Sequence, residues 1–271
     1  MGMVIAPFNV PRCHSSGWRT SRMMASLSST HDSQSLAGTS SIEAGGGVTD
    51  PMVRPVGTKY PGSTHAPLDT AEGMIDIAVL ASGSGTNLRA LLDRPDVRAR
   101  IRLVASDRDD ARALERASSA GIETTVVRWH DHPGRDAFST ALADAVEDRG
   151  CKGVVLAGFM RILAPSFVDR FPGRILNIHP SLLPAFPGAH AVESALKHGV
   201  KVTGVTVHIV DEQVDHGPII AQRAVPVEPD DTIDSLHARI QVEEHRLYPE
   251  IVSAFIRGEI DELGRLTGGG A

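Results

Sequence analysis

Asn177 and His179 stand two residues apart in the run Asn177-Ile178-His179-Pro180-Ser181-Leu182-Leu183-Pro184. On an extended strand that spacing turns both side chains to one side. An asparagine amide is a neutral donor able to hold a developing oxyanion, and a histidine titrates near neutrality and can move a proton. Pro180 and Pro184 stiffen the loop that follows. A third group, Asp215, lies in Asp215-His216-Gly217-Pro218, where a carboxylate could orient the histidine and stabilise its charged form. Each also has a plainer reading: the histidine as a hydrogen-bonded structural residue, the aspartate as a turn residue before Gly-Pro. A metal centre is the poorer account. His179, His208, Asp215 and His216 are ligand types, but without a close spacing such as His-Glu-x-x-His. His208, inside an apolar run, reads as a buried, hydrogen-bonded residue facing the site.

A second candidate is the loop Ser82-Gly83-Ser84-Gly85-Thr86-Asn87. It sits between an apolar run and a helical stretch, so its glycines let the backbone approach a ligand while a helix N-terminus favours an anion. It is not a dinucleotide fingerprint, because Leu88 stands where the third glycine would be, and it lacks the Gly-Lys-Ser/Thr of a Walker loop. It is equally readable as a tight strand-to-helix turn.

The elements that must carry these groups follow from the apolar pattern. Short apolar runs at Ile75–Leu80, Ile101–Ala105, Thr124–Val127, Gly153–Ala157 and Ile175–Ile178 alternate with helical stretches at Asn87–Leu92, Ala111–Ala120 and Arg135–Glu147. That rhythm predicts a parallel sheet covered on both faces, with Asn177 and His179 at a strand's carboxyl end, where ligands gather. Val202–Val210 and Pro218–Val225 are then joined by a link too short for a parallel crossover, which predicts an antiparallel hairpin. Asp231 and Thr232 can cap a last helix, on which Ile233, Leu236, Ile240 and Leu247 fall near a period of 3.6. The expected fold is α/β: a doubly wound, mostly parallel sheet with an antiparallel C-terminal hairpin and a final helix.

Composition narrows the class. Of 271 residues, 41% are hydrophobic and 22% charged, ordinary for a globular protein. No apolar run approaches the roughly 20 residues of a membrane span. The formal net charge of −6, with no basic face in view, argues against a nucleic-acid partner. It does not exclude a phosphate-bearing small ligand held by backbone N–H groups. Two cysteines, Cys13 and Cys151, make no disulfide framework and suit a reducing cytoplasm.

Residues 1–73 read differently. They are rich in Ser, Thr, Gly, Pro and Met, hold no helical or strand period, and balance their charges, so the net charge belongs to residues 74–271. Too little apolar area is available there to offset the entropy of ordering. The expectation is a disordered extension, or a start assigned upstream of Met74. Arg12, Arg19 and Arg22 among serines faintly suggest a transit peptide, but Pro7, Pro11 and Gly17 would break an amphipathic helix.

The segments SGSGTNL (Ser82–Leu88), LAGFMRIL (Leu156–Leu163), NIHPSLLP (Asn177–Pro184), FPGAH (Phe186–His190) and DHGPI (Asp215–Ile219) resemble, in order, the motifs of the folate-dependent phosphoribosylglycinamide formyltransferases. The resemblance covers residues 74–258 as one catalytic domain and leaves 259–271 as a tail. It implies formyl transfer from 10-formyltetrahydrofolate, a co-substrate, to the amine of glycinamide ribonucleotide in purine synthesis. No metal and no covalent intermediate are implied, and the partners are small molecules, with a monomer or a homodimer equally open. By the same resemblance Asn177 would stabilise the oxyanion, His179 carry the proton and Asp215 orient it. Gly83, Ser84, Gly85, Thr86 and Asn87 would hold the phosphate. Glu244, with Gln241 one turn away, would hold the ribose. Leu156, Met160, Arg161, Ile162, Leu163 and Asn177 would form the folate pocket, with Arg135 near the folate's glutamate tail. His216 departs from the pattern, since a small residue is common there and the backbone contacts folate. Two relatives share the catalytic motif. Formyltetrahydrofolate hydrolase, which uses water as acceptor, carries a regulatory domain that residues 1–73 do not resemble. Methionyl-tRNA formyltransferase carries a further C-terminal domain, whereas few residues follow Arg257.

Overall fold

The computed structural model describes residues 74–261 and 263–267; the N-terminal extension expected over residues 1–73 lies outside them. The first strand, β1 (Ile77–Leu80), feeds the glycine loop and α1 (Thr86–Leu92), then α2 (Pro95–Arg98). β2 (Ile101–Ser106), α3 (Arg112–Ser119) and β3 (Glu123–Val126) follow on one side of β1. The chain then crosses over through α4 (Arg135–Glu147) to β4 (Gly153–Leu156), α5 (Pro165–Val168) and β5 (Ile175–His179) on the other side. After α6 (Ala191–His198), the hairpin of β6 (Val202–Ile209) and β7 (Ile219–Pro226) completes the sheet, and α7 (Ile233–Ile256) packs back over it.

The strand order is β3-β2-β1-β4-β5-β6-β7. The first five strands in that order run parallel, while β6 is antiparallel to β5 and β7 to β6. Winding reverses between β1 and β4, which opens a crevice at their carboxyl ends, the usual ligand position in such sheets. The glycine loop leaves β1 at that crevice, and the site strand β5 stands one place further along.

Both faces of β1 are buried, as its unbroken apolar run requires. Ile77 and Val79 face one core with α1, α3 and α7; Ala78 and Leu80 face the other with α4, Phe167 and Phe171. α7 crosses the sheet close enough that a Cβ on Gly153 would meet the Phe255 ring at 2.7 Å. Its start is set by a capping box: Thr232 Oγ1 accepts from the Ser235 N–H, and Ser235 Oγ accepts from the Thr232 N–H. Inside the core, the hydroxyl of fully buried Tyr248 donates to the carbonyl of Leu156 at 2.8 Å and lies 3.2 Å from that of Leu176. This polar anchor ties α7 to β4 and β5, one turn beyond Glu244.

Several elements differ from the sequence reading. β1 begins at Ile77, two residues later than its apolar run. α2 and α5 have four residues each, too few to show a helical period. α6 leaves three residues buried. Beyond α7, Ile260 is buried in the main core and bridges Leu266, so the chain is still packed onto the domain past residue 258.

Candidate active site

Residues 210–215 bring Asp215 from the hairpin turn toward the end of β5. Its carboxylate is the hub. Oδ2 accepts the Gly188 N–H at 2.7 Å and lies 3.4 Å from His179 Nδ1; Oδ1 lies 3.5 Å from Asn177 Nδ2 and 3.7 Å from His208 Nε2. Burial works against ionisation of this carboxyl, but the His208 and Gly188 hydrogen bonds and the nearby His179 and His208 outweigh it. The acid is held below the ordinary carboxylate range. Asp215 is therefore a carboxylate at neutral pH.

The two histidines are told apart by their backbone partners. His208 has Nδ1 2.9 Å from the Ile209 carbonyl. A carbonyl only accepts, so Nδ1 carries the hydrogen; Nε2, 3.1 Å from Asn177 Nδ2, accepts from that amide when the ring is neutral and turns a donor toward Asp215 when the ring carries a second proton. One amide hydrogen of Asn177 is thus committed. The other, facing Asp215 across 3.5 Å, is weakly held and is the donor an oxyanion could take. His179 places Nε2 2.9 Å from the Phe186 carbonyl, so Nε2 carries its hydrogen there. A neutral ring then presents a lone pair from Nδ1 to the Asp215 carboxylate, and a proton on Nδ1 turns that contact into an ion pair. The proton this pair can hold or release is the one on Nδ1.

Local strain marks the same place. Phe186 and Asp215 have φ of 54° and 53°, left-handed values that cost a non-glycine residue about 1–3 kcal/mol. A web of side chains holds the loop that bears Phe186. Thr206 Oγ1 donates to the Ser181 carbonyl at 2.7 Å and accepts from the Leu183 N–H at 3.0 Å, while Ser181 Oγ donates to the Ala185 carbonyl. Gln222 Nε2 adds bonds to the Leu183 carbonyl and to Thr206. A register shift in the β6–β7 pairing at Val207/His208 re-aims the strand beside the site.

Beside this network opens a cavity of about 380 Å³, lined by Asn177, His179, His208 and Asp215 together with Leu156 and the whole of Met160–Leu163. All the residues expected to hold folate therefore line one cavity, apart from Arg135. That residue is exposed at the start of α4 and does not line the cavity. Arg161 lines it with its side chain already occupied: Nε donates to Asp107 Oδ2 at 2.7 Å, and the guanidinium lies 5.2 Å from the Trp129 ring centre. Met160 spends its N–H on Ser82 Oγ, at 2.9 Å. His216 is absent from the lining and pairs with Asp211 instead.

The second group of expected residues gathers around α1. Gly85 caps it in the left-handed region, and a Cβ there would fall 2.8 Å from Ala113; helix packing alone demands this glycine. Gly83 has open space above it. Asn87 Nδ2 donates to Glu244 Oε2 at 3.0 Å, both residues being buried, and Asn87 Oδ1 has no partner among the described residues. Burial holds the Glu244 carboxyl above the ordinary range, against the Asn87 hydrogen bond and the fields of His237 and His179. Gln241 Nε2 lies 3.4 Å from His237 Nε2, which continues the same face of α7.

Three contributions were invisible in the sequence: the Phe186 carbonyl and the Gly188 N–H, which any residue could supply, and the bond by which Ser82, already part of the candidate loop, accepts from the Met160 N–H of the cavity lining. Asp107, which holds Arg161, just follows β2 and belonged to no motif of the sequence.

A sequence profile of the formyl transferase family matches residues 75–252. The chain is 50% identical over 191 residues to the phosphoribosylglycinamide formyltransferase of Mycobacterium tuberculosis (strain ATCC 25618 / H37Rv), spanning 70% of this chain and 88% of that protein. It is 42% identical to the enzyme of the same name from Escherichia coli (strain K12), spanning 69% and 89%. Glycinamide ribonucleotide transformylase 1 from Symbiobacterium toebii superposes with a TM-score of 0.67 at 50% identity, over 73% of this chain and 94% of that one. The matched stretch begins ahead of β1, runs into α7 and contains every residue of the Asn177–His179–Asp215 network, and the chain belongs to the formyl transferase family.

Proposed function

We propose that this protein transfers a formyl group from 10-formyltetrahydrofolate to the amine of glycinamide ribonucleotide, in de novo purine biosynthesis. The observation that carries the reading is the Asn177–His179–Asp215 network opening onto a cavity walled by Met160–Leu163. The cavity takes the folate, whose pterin meets the backbone of residues 161–163, since the Arg161 side chain is engaged with Asp107. The glutamate tail leaves toward solvent, where Arg135 stands one turn ahead of Phe138, a residue stacked on cavity-lining Phe159. The phosphate lies on Gly83–Asn87, and Gln241 and Glu244 on α7 take the ribose. The setting is the cytoplasm, consistent with the free, buried thiol of Cys151.

In the reaction the neutral amine attacks the formyl carbon, and the tetrahedral intermediate places its oxyanion against Asn177 and the protonated His179. Asp215 stabilises that imidazolium and helps take the amine's proton on its way to the folate nitrogen that leaves. Positioning and charge stabilisation supply the rate.

The full chain is expected to release tetrahydrofolate from 10-formyltetrahydrofolate only when glycinamide ribonucleotide is added. Equal release without that acceptor would replace the transferase by the hydrolase. His179→Ala should lower kcat by about 10²–10⁴-fold with KM values nearly unchanged, and an undiminished kcat would remove His179 from the chemistry.

A further inference from the structure

The hairpin turn itself, Asp211–Asp215, also lines the cavity that Met160–Leu163 line. Its two ends are fixed by the sheet. The Ile209 N–H donates to the Pro218 carbonyl at 2.9 Å, and a Cβ on Gly217 would sit 2.0 Å from the Ile209 carbonyl oxygen. Between those ends the turn folds around one side chain. Asp211 Oδ1 accepts the Gln213 N–H at 2.9 Å, and Asp211 Oδ2 lies 2.8 Å from His216 Nδ1, which donates to it. Inside the ring so closed sits Asp215 with its left-handed φ of 53°. An unclasped turn of this length samples many conformers, and this backbone is among the less favoured for an aspartate.

We propose that His216 is a positioning residue: its bond to Asp211 clasps the turn so that the cavity wall and the Asp215 carboxylate are set before the formyl donor binds. The resemblance marked His216 only as a departure, at a position where a small residue is common and the backbone contacts folate. His216 instead stands outside the cavity and acts on its wall from behind. The inference rests on the reading of the cavity as the donor's site.

Steady-state kinetics on the full chain, varying each substrate at saturation of the other, provide the test. The pair is partly exposed, with side-chain exposures of 45% and 35%, so a modest effect is expected, of about 3-fold. His216→Ala should raise the KM for 10-formyltetrahydrofolate by about that factor and lower kcat by a similar one, with the KM for glycinamide ribonucleotide unchanged. His216→Asn, whose amide nitrogen takes the place of Nδ1, should restore both values; His216→Gln, which mimics Nε2, should not. The double variant with Asp211→Ala should be no worse than the worse single one. Amide hydrogen exchange over residues 212–215 should quicken in His216→Ala and return to the native rate in His216→Asn. An unchanged folate KM in His216→Ala, or equal losses in the Ala and Asn variants, would overturn the clasp. If the native chain shows no acceptor-dependent transfer, the functional reading falls by itself. The exchange measurement still decides the clasp, and equal exchange in all the proteins would refute it.

Discussion

Glu244 lies buried against Asn87 with its carboxyl held above the ordinary value by burial, and that makes stability depend on pH in a definite direction. In the unfolded chain the group ionises near 4.5. Above that pH the folded state keeps a proton that the unfolded state has released, so folding stability declines as pH rises toward the raised native value. Glu244→Gln removes this dependence. Thermal melts should show the variant gaining on the native protein as pH is raised from 4.5 to 8, while its KM for the nucleotide increases about 10-fold or more. A difference in melting temperature that stays flat across that range would refute the protonated state. At this scale the sequence was informative where chemistry depends on side-chain type. Asn177, His179 and Asp215 could be singled out because an amide, an imidazole and a carboxylate can together do acyl chemistry, but the histidine and the aspartate each also fitted a structural reading, and the motifs around them carried the choice. The tautomers of His179 and His208 were not legible, because carbonyls of Phe186 and Ile209 set them, and a carbonyl leaves no mark in a residue's identity.

Among the elements, α7 carries Gln241 and Glu244, the residues proposed to take the ribose, and its entry is set by Thr232. The threonine hydroxyl satisfies the Ser235 N–H, and Asp231 accepts from Ser235 Oγ and pairs with Arg239. Thr232→Ala should cost about 1 kcal/mol of stability, read as a lower denaturant midpoint at unchanged slope. A midpoint within error of the native one would show that the Asp231–Arg239 pair caps the helix alone. This cap was legible beforehand, as were the parallel strands, whose continuous apolar runs admit little else, and the hairpin, whose link is too short to cross a sheet. α2 and α5 were not, since one turn has no period, and the shortened start of β1 was not, since Ile75 is apolar for another reason: it packs against the main core ahead of the strand.

Over the whole molecule, Cys151 reports on opening. Burial, with Asp76 adding and Arg102 and Arg149 opposing, pushes its thiol up to about 12. A closed core and a scarce thiolate both protect it, since the thiolate is the reactive form. In a Cys13→Ser chain at pH 8, a thiol reagent should modify the native protein at least about 10³-fold more slowly than the chain in denaturant. Rapid labelling without denaturant would mean that the α4 face opens locally. A different order is built into α7. Leu247, Tyr248, Ile251, Val252 and Phe255 cover the same core face as Ile77 and Val79 of β1, yet a ribosome delivers them more than a hundred and fifty residues afterwards. Until they emerge, a nascent chain carries the parallel strands with one apolar face bare, the condition under which partly made proteins stick to one another. The same stretch brings Gln241 and Glu244. A chain interrupted before α7 therefore lacks its cover together with the residues proposed to take the ribose, and shelter from aggregation arrives with them in a single late step of synthesis.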